Sequence, residues 1–196
     1  MFNVSQLKIS EVSKILHVTN PLLSRKFKDL DQPYVTRTNN RITGLSPELV
    51  EQYLTDIGHD YLYKNCITLI TSQVGGVGKT SATLSLAACA RRVTSRRRAI
   101  VIIDCDSQGS ATSQVFGDVA ADDEPVLLSY LEGKAKLKDI LYPVPSENGS
   151  LENIFLVKSN LNNLYLERTI QSPSEIKNSM LNLFNEIFKK FGDGCK

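Results

Sequence analysis

The sequence predicts an α/β fold: a partial parallel sheet, preceded by a small module of helices and a hairpin. Three observations support this prediction. A glycine-rich loop, V-G-G-V-G-K-T-S at 74–81, stands between an apolar run at 67–71 and a helix-forming run at 82–88. A second apolar, β-branched run at 99–103 ends in paired acids. The first sixty residues contain short helical patterns around a central Asn-Asn turn.

Size and composition limit the class of protein. The chain has 196 residues, of which 41% are hydrophobic and 22% are charged, as expected for a globular protein with one full domain and a small module. Its net charge of +2 is too small to indicate a nucleic-acid partner by itself. The four cysteines form no C-x-x-C motif, which argues against a metal site or a disulfide framework. Because neither a signal pattern nor a run of about 20 apolar residues is present, we expect a cytoplasmic protein without a membrane partner.

The first module begins with two short helical patterns. Ser10 can cap a helix at 11–16, in which the apolar residues share one face. After a three-residue turn, Asn20 can cap a second helix at 22–30, with Pro21 in its first turn. This spacing is typical of a helix-turn-helix, whose second helix enters the major groove of DNA.

A hairpin and a third helix follow. Asn39 and Asn40 tolerate positive φ, so they predict a tight turn between two short strands. Ser46 then opens a helix that ends at about Ile57. We therefore interpret residues 1–60 as a winged helix-turn-helix, 61–65 as a linker and 66–196 as the second domain. In the winged helix-turn-helix, the residues expected to contact DNA carry hydroxyl or basic groups: Ser24, Arg25, Lys26, Lys28, Arg37 and Arg41. The alternative is a small helical module for dimerisation.

The apolar run at 67–71 is predicted to be a strand, so the glycine-rich loop stands between a strand and a helix, which is the context of a phosphate-binding loop. Its glycines let the backbone approach an anion and direct successive N–H groups toward it, at the start of a helix. Lys79 adds a positive charge for the outer phosphates, and the Thr80 hydroxyl is placed to ligate Mg²⁺. The residues predicted to hold the phosphates are Gly75, Gly76, Val77, Gly78, Lys79, Thr80 and Ser81.

Asp104 and Asp106 follow the second apolar run. Ligands of open α/β sheets lie at the carboxyl ends of the strands, so we expect both acids to face the glycine-rich loop. Carboxylates two residues apart at a strand end can serve the water of a magnesium ion and an attacking water.

Residues 72–81 resemble the deviant Walker A motif of the ParA/MinD ATPases, which commonly reads K-G-G-V-G-K-T-T. Residues 104–112 are similar to the D-x-D-P-Q-G-N-A-T switch motif of the same family. The resemblance implies a P-loop NTPase-like sheet, with ATP and Mg²⁺ as cofactors. It also implies that Lys79 and Asp106 are catalytic, with Asp106 orienting water and Asp104 supporting the metal. The family's first lysine, which reaches the partner's phosphates in an ATP-bound dimer, is Val74 here.

The resemblance extends to the whole organisation. The first module is similar to the winged helix-turn-helix of longer plasmid-partition ParA proteins, which bind their own operator. Helices at 126–132 and 137–141, a strand at 154–157 and a helix at 175–191 are expected next. The family's Walker B strand follows such a helix and has no counterpart in this sequence, so we expect the amino-terminal portion of a longer protein.

The complete protein is expected to be a homodimer with a centromere-binding ParB-like partner. A transcriptional regulator with a non-catalytic, nucleotide-sensing domain is the main alternative. The basic amphipathic helix at 175–191 also allows a MinD-like membrane anchor, although a buried crossover helix is favoured.

Overall fold

The structure, a computed structural model, describes residues 6–31, 34–58, 65–93, 98–146, 149–160 and 173–191. It divides the chain into two compact units. The first contains the described part of Met1–Ile67 together with Ala88–Arg96, and the second contains Thr68–Ala87 and the described part of Arg97–Lys196. The predicted linker at 61–65 lies outside the described residues except for Asn65.

The first unit consists of short helices and a three-stranded antiparallel sheet of order β1-β3-β2. Its elements are β1 (Leu7–Lys8), α1 (Ile9–Leu16), α2 (Asn20–Lys26), β2 (Val35–Thr38), β3 (Arg41–Leu45) and α3 (Pro47–Asp56). The predicted hairpin is confirmed: Thr38 pairs with Arg41, and Asn39 and Asn40 have φ of 50° and 62°. Two consecutive residues of positive φ give a turn whose twist matches that of the strands.

The helix boundaries in this unit differ in part from those predicted. Ser46 caps α3 as expected, because its Oγ accepts a hydrogen bond from the Leu49 backbone N–H at 3.2 Å. The prediction that Ser10 caps the first helix is wrong. Helix α1 begins at Ile9, and Glu11 Oε2 accepts the Lys8 backbone N–H at 3.0 Å. The side chain that caps the start of α1 is therefore that of Glu11, in the first turn, and not that of Ser10, which was predicted from its residue type alone.

Helix α2 ends at Lys26, four residues earlier than predicted, and its N-cap position is held by Thr19 rather than Asn20, without a side-chain capping hydrogen bond. Phe27 is buried in the core, where its ring meets that of Tyr53 edge-on at 5.8 Å between centroids. Packing of this ring takes precedence over helix propensity, which is a weak preference. As a result, Lys28 lies in a turn after the helix.

The residues of the hydrophobic core of this unit form a single cluster drawn from α1 to α3 and β1 to β3. They are Leu7, Val12, Leu23, Phe27, Val35, Ile42, Leu45, Leu49, Val50, Tyr53 and Leu54. The module thus has its own hydrophobic core.

The second unit is an α/β unit built on a mixed sheet of order β4-β6-β5. Its elements are α4 (Lys79–Val93), of which residues 79–87 are assigned to this unit, β4 (Ile100–Ile103), α5 (Ser110–Phe116), α6 (Leu127–Leu131), α7 (Leu137–Ile140), β5 (Leu141–Ser146), β6 (Gly149–Val157) and α8 (Pro173–Phe191). The predicted strands at 99–103 and 154–157 are confirmed and pair in parallel, and the predicted helices are observed close to their expected bounds.

The predicted parallel sheet is observed in part: β4 and β6 pair in parallel, but β5 pairs with β6 in the antiparallel direction, so the sheet is mixed. The sequence did not reveal β5 since Pro143 and Pro145 interrupt it. Proline lacks the N–H that a central strand needs, but β5 lies at the edge of the sheet, where that loss is tolerated.

The apolar run at 67–71 was expected to be a strand, and this expectation is also wrong. Residues 65–72 form no strand, and Leu69 is 82% exposed. Among the described residues no neighbouring strand pairs with this run. Without such a partner, an apolar segment can neither satisfy its backbone groups nor bury its side chains.

Helices cover the mixed sheet and complete its core. Leu84 and Ala87 of α4 belong to a cluster with Ile102 and Leu156 of the sheet. Leu183 and Ile187 of α8 are buried in a second cluster with residues of β6, α6 and α7. The apolar stripe of α8 is therefore a packed face, as favoured from the sequence. None of the helices in the described ranges combines the length and apolarity that crossing a bilayer requires.

Candidate functional site

The glycine-rich loop turns sharply before α4. Gly76 and Gly78 have φ of 71° and 84°, a left-handed conformation that side chains with a Cβ adopt at a cost. A Cβ built on Gly75, Gly76 or Gly78 would meet no atom within 4 Å, so open space adjoins the loop backbone. Helix α4 then begins at Lys79 and is 15 residues long. The first N–H groups of a helix have no partner within the helix and attract anions.

Side chains of the loop bond to the loop itself. Lys79 Nζ donates to the carbonyl oxygen of Val74 at 3.3 Å, so its ammonium group lies across the loop. The Ser72 hydroxyl accepts the backbone N–H of Val74 at 3.1 Å. The charged group of Lys79 thus lies beside the glycines.

The remaining predicted loop residues are accessible. Val77 and Ser81 are exposed, and Thr80 is half-buried in the first turn of α4. Val74, at the position of the family's first lysine, is 63% exposed. Helix α4, which follows the loop, packs in one cluster with Ile102 of β4, the strand that leads to Asp104.

The carboxylate of Asp104 is buried and fully engaged. Its Oδ2 accepts the Thr112 backbone N–H at 2.9 Å and the Thr112 hydroxyl at 2.8 Å. Its Oδ1 accepts the Asp106 backbone N–H at 3.2 Å. Both oxygens thus bind the following loop and the first turn of α5.

Asp106 differs from Asp104, because its side chain is exposed. Its Oδ1 accepts the Gln108 backbone N–H at 2.9 Å, which orients the carboxylate. Its backbone oxygen accepts the Gly109 N–H at 2.8 Å and the Ser159 hydroxyl at 2.5 Å. Asp106 is therefore the member of the pair that can reach a water or a ligand.

Gly109 is required where the acidic loop meets its neighbours. It has φ of 59°, and a Cβ there would lie 2.8 Å from Val119 Cγ1 and 3.1 Å from the Ser159 backbone oxygen. The backbone therefore approaches its surroundings more closely than any other residue type allows.

Sequence reasoning missed the residues that support this loop. Thr112 is fully buried, and its hydroxyl also accepts the Ser159 backbone N–H at 2.9 Å. Thr112 occupies the last position of the switch motif noted above, and Ser159 follows β6 by two residues. The motif position could have identified Thr112 from the sequence, but nothing in the sequence indicated that Thr112 contacts Ser159.

Lys158 lies just past the carboxyl end of β6 in an apolar setting. Its Nζ is 2.7 Å from Glu124 Oε1 and lies 4.5 Å and 4.3 Å from the ring centroids of Phe116 and Tyr142. The hydrogen bond from Lys158 lowers the pKa of Glu124 below its ordinary value, against a smaller opposing effect of burial. The pair fastens the segment before α6 to the end of the sheet.

The residues expected to contact DNA all lie in the first unit. Arg25 and Lys26 are exposed on α2, and the Lys26 ammonium stands 4.6 Å from the Tyr53 ring centroid. Ser24 is half-buried on the same helix, and Lys28 is exposed in the turn that follows it. The second helix therefore does present basic groups to solvent.

The two arginines of the hairpin differ. Arg41 is exposed, at the start of β3. Arg37 instead donates from its guanidinium to the backbone oxygens of Lys28 and Leu30, the latter at 3.0 Å. These bonds join the hairpin to the end of the second helix, which gives Arg37 a structural function within the unit.

Comparison with known proteins gives a family match over most of the second unit. Residues 68–194 match the family described as the CobQ/CobB/MinD/ParA nucleotide binding domain. The sporulation initiation inhibitor protein Soj of Bacillus subtilis (strain 168) is 38% identical over 82 residues, which are 42% of this chain and 31% of that protein. The matched segment thus spans about a third of the relative's length.

Two solved structures are matched at lower similarity. Cobyrinic acid a,c-diamide synthase from Mycobacterium smegmatis, with a bound ATP analog and magnesium, superimposes with a TM-score of 0.49 and 22% identity over 62% of this chain and 46% of that chain. The same enzyme with ADP and magnesium gives a TM-score of 0.49 and 21% identity over 62% and 45% of the two chains. Similarity at this level does not transfer ligands or activity to this chain.

Proposed function

This chain belongs to the family of CobQ/CobB/MinD/ParA nucleotide-binding domains, and on that premise we propose that residues Gly75, Gly76, Val77, Gly78, Lys79, Thr80 and Ser81 bind the phosphates of ATP. The geometry of the glycine-rich loop is the main support for this proposal. Two left-handed glycines, open space beside them and a lysine laid across the turn stand at the start of a 15-residue helix. Such an arrangement supports binding of a nucleotide's phosphate chain.

Magnesium fits this site through hydroxyl and carboxylate oxygens, which are the ligands it prefers. Thr80, in the first turn of α4, would hold the ion, which when bound neutralises charge on the phosphates. Asp104 fits a supporting position, since both of its oxygens already accept hydrogen bonds from the protein. In this proposal it supports the metal by fixing the loop that follows.

Hydrolysis is assigned to Asp106 and Lys79. The exposed Asp106 carboxylate orients the attacking water, and its own orientation comes from the Gln108 N–H. Lys79 stabilises charge on the outer phosphates from within the same chain.

The site is tested by replacing Lys79 with alanine and measuring Mg-ATP binding by calorimetry. Because a charge-assisted hydrogen bond contributes about 1.5–3 kcal/mol, the dissociation constant should rise about 10- to 100-fold. Lys177→Ala, which removes an exposed lysine of α8, is the matched control and should bind as the unaltered protein does. Unchanged affinity of the Lys79 variant would contradict the proposal.

The first unit is assigned to DNA binding as a winged helix-turn-helix. The exposed basic residues of the second helix and its following turn support this assignment, together with Arg41 on the hairpin. Ser24 contributes a hydroxyl from the same helix, and Arg37 acts by holding the hairpin in place. In this proposal the protein is a cytoplasmic partition ATPase that dimerises, uses ATP to change its DNA-bound state and acts with a centromere-binding ParB-like protein.

A second function is favoured by one observation. Val74 replaces the lysine that reaches the partner's phosphates in the family, and its side chain is exposed and apolar. A DNA-binding regulator that senses nucleotide without hydrolysing it would need no such lysine. Phosphate release, measured with and without DNA and the partner protein, separates this regulator from the partition ATPase.

A further inference from the structure

We infer that Thr112 is a positioning residue: its hydroxyl ties the acidic loop to the end of β6 and thereby sets the place of Asp106. This inference rests on the proposed ATPase function and adds a residue to it. Thr112 is fully buried and bonds to Asp104 and Ser159, so its proposed effect passes through these two residues and the loop between them.

The bonds of Thr112 join the carboxyl ends of two adjacent parallel strands. Its hydroxyl donates to Asp104 Oδ2 at 2.8 Å, one residue past β4. The same oxygen accepts the Ser159 N–H at 2.9 Å, two residues past β6. The Thr112 hydroxyl therefore uses its single donor and one of its acceptor sites at the same time.

A second set of bonds carries this link to Asp106. Asp104 Oδ1 accepts the Asp106 N–H at 3.2 Å, and the Ser159 hydroxyl donates to the Asp106 backbone oxygen. The backbone of Asp106 is thus held on both sides by the two residues that Thr112 connects. Only the side chain of Asp106 is left exposed.

Burial makes this link sensitive to the loss of one atom. Thr112 and Ser159 are both fully buried, and Asp104 is nearly so. Removing the hydroxyl would leave the Ser159 N–H and Asp104 Oδ2 each short of a bond away from water, which is the costly case for polar groups. The loop would relieve that cost by moving, and Asp106 would move with it.

The experiment compares Thr112→Val, which keeps the shape and removes the hydroxyl, with Thr112→Ser, which keeps the hydroxyl. Amide hydrogen exchange is measured first, without nucleotide. Thr112→Val should speed exchange at the Asp106 and Gly109 amides at least about tenfold, and Thr112→Ser should leave them nearly unchanged. Neither amide bonds directly to Thr112, so a purely local effect would not move them.

Phosphate release and ATP affinity are measured next. Small misplacement of a reacting group can cost up to about 100-fold in rate, so Thr112→Val should lower kcat at least tenfold. Its ATP dissociation constant should stay within twofold, because the loop amides and Lys79 are untouched. Unchanged exchange at Asp106 and Gly109 in Thr112→Val, or equal losses in both variants, would overturn the inference.

The two proposals fail separately. If the unaltered protein neither binds nor hydrolyses ATP, the proposed function is refuted, whereas the exchange comparison still decides whether the Thr112 hydroxyl holds the Asp106 loop. If ATP is hydrolysed and Thr112→Val keeps the full kcat, the positioning role is refuted and the proposed function stands.

Discussion

The ammonium group of Lys158 lies 2.7 Å from the Glu124 carboxylate and within 4.5 Å of the ring centroids of both Phe116 and Tyr142. The Glu124 side chain is 34% exposed, while that of Lys158 is 11% exposed, so the pair is neither a surface ion pair nor a fully buried one. It lies beside Ser159 and Asn160, which bond to the segment that carries Ala120 and Ala121. A lysine thus fixes this segment to the end of the sheet.

Replacing Lys158 with methionine should lower the free energy of unfolding by about 2 kcal/mol, less than the 3–5 kcal/mol of a fully buried broken pair because Glu124 is partly solvated. Urea unfolding measures the change. The control is Lys134→Met, whose lysine pairs with Glu132 at the same 2.7 Å but is 71% exposed. That change should cost less than about 0.5 kcal/mol. Equal losses in the two variants would refute the structural role of Lys158.

The same pair predicts a dependence of stability on pH. The hydrogen bond from Lys158 holds the pKa of Glu124 below its ordinary 4.5 in the folded protein. A carboxyl whose folded pKa is lowered adds stability above its unfolded pKa and loses it as the pH falls through the folded pKa. The stability difference between the unaltered protein and Glu124→Gln should therefore be constant at neutral pH and shrink below about pH 4.5. Urea unfolding across this range measures it, and a difference that grew on acidification would contradict the assignment.

Gly109 allows a test of the close contact behind the acidic loop. Gly109→Ala places a methyl group 2.8 Å from Val119 Cγ1 at a positive φ, so both strain and a clash are expected. Gly117→Ala is the matched control, because Gly117 has φ of 92° but no atom within 4 Å of a Cβ. The control should lose about 1–2 kcal/mol from its backbone conformation alone, and Gly109→Ala should lose clearly more. Equal losses in denaturant unfolding would show that the contact with Val119 is unimportant.

Changing each of the two acids to its amide should affect different properties: catalysis for Asp106 and stability for Asp104. Asp106→Asn should lower kcat for ATP about 100-fold and leave stability nearly unchanged, because the side chain is exposed. Asp104→Asn should instead reduce stability, since its buried oxygens accept three hydrogen bonds from the loop. Phosphate release and urea unfolding are measured for both variants. A loss of stability confined to Asp106→Asn would contradict the assignment of Asp106 to catalysis and Asp104 to support of the loop.

The DNA-binding proposal is tested by reversing charge on the second helix. Arg25→Glu combined with Lys26→Glu should abolish operator shifts in a gel assay, since repulsion by phosphates replaces attraction. Lys14→Glu, on α1, is the control for a charge reversal outside the second helix and should retain most of the binding. If the double variant shifts the operator normally, the first unit serves another purpose, for which dimerisation is the alternative.

Most of the local structure could be predicted because its signals are local. The Asn39-Asn40 hairpin, the Ser46 cap and the parallel strands at 99–103 and 154–157 each follow from residues adjacent in sequence. The missed features depend on tertiary contacts. The edge position that tolerates Pro143, and the packing that ends α2 at Lys26, cannot be deduced from the residues involved.

The site shows the same division. The glycine-rich loop and the paired acids could be identified from their residue types and spacing, but their unequal burial could not. Thr112 and Ser159 are 47 residues apart in sequence, and only the pairing of β4 with β6 brings them together. The prediction of a strand at 67–71 was wrong because a strand requires a neighbouring strand, which the residues of the segment do not specify.

The central claim is most directly tested by titrating the protein with a non-hydrolysable Mg-ATP analogue while recording amide NMR shifts. The account predicts saturable shifts at Gly75, Gly76 and Gly78 and at the first amides of α4, with a smaller response at Asp106. Amides of β5, on the far edge of the sheet, should remain unmoved. Absence of saturable shifts in the glycine-rich loop, or shifts confined to other parts of the protein, would contradict the account.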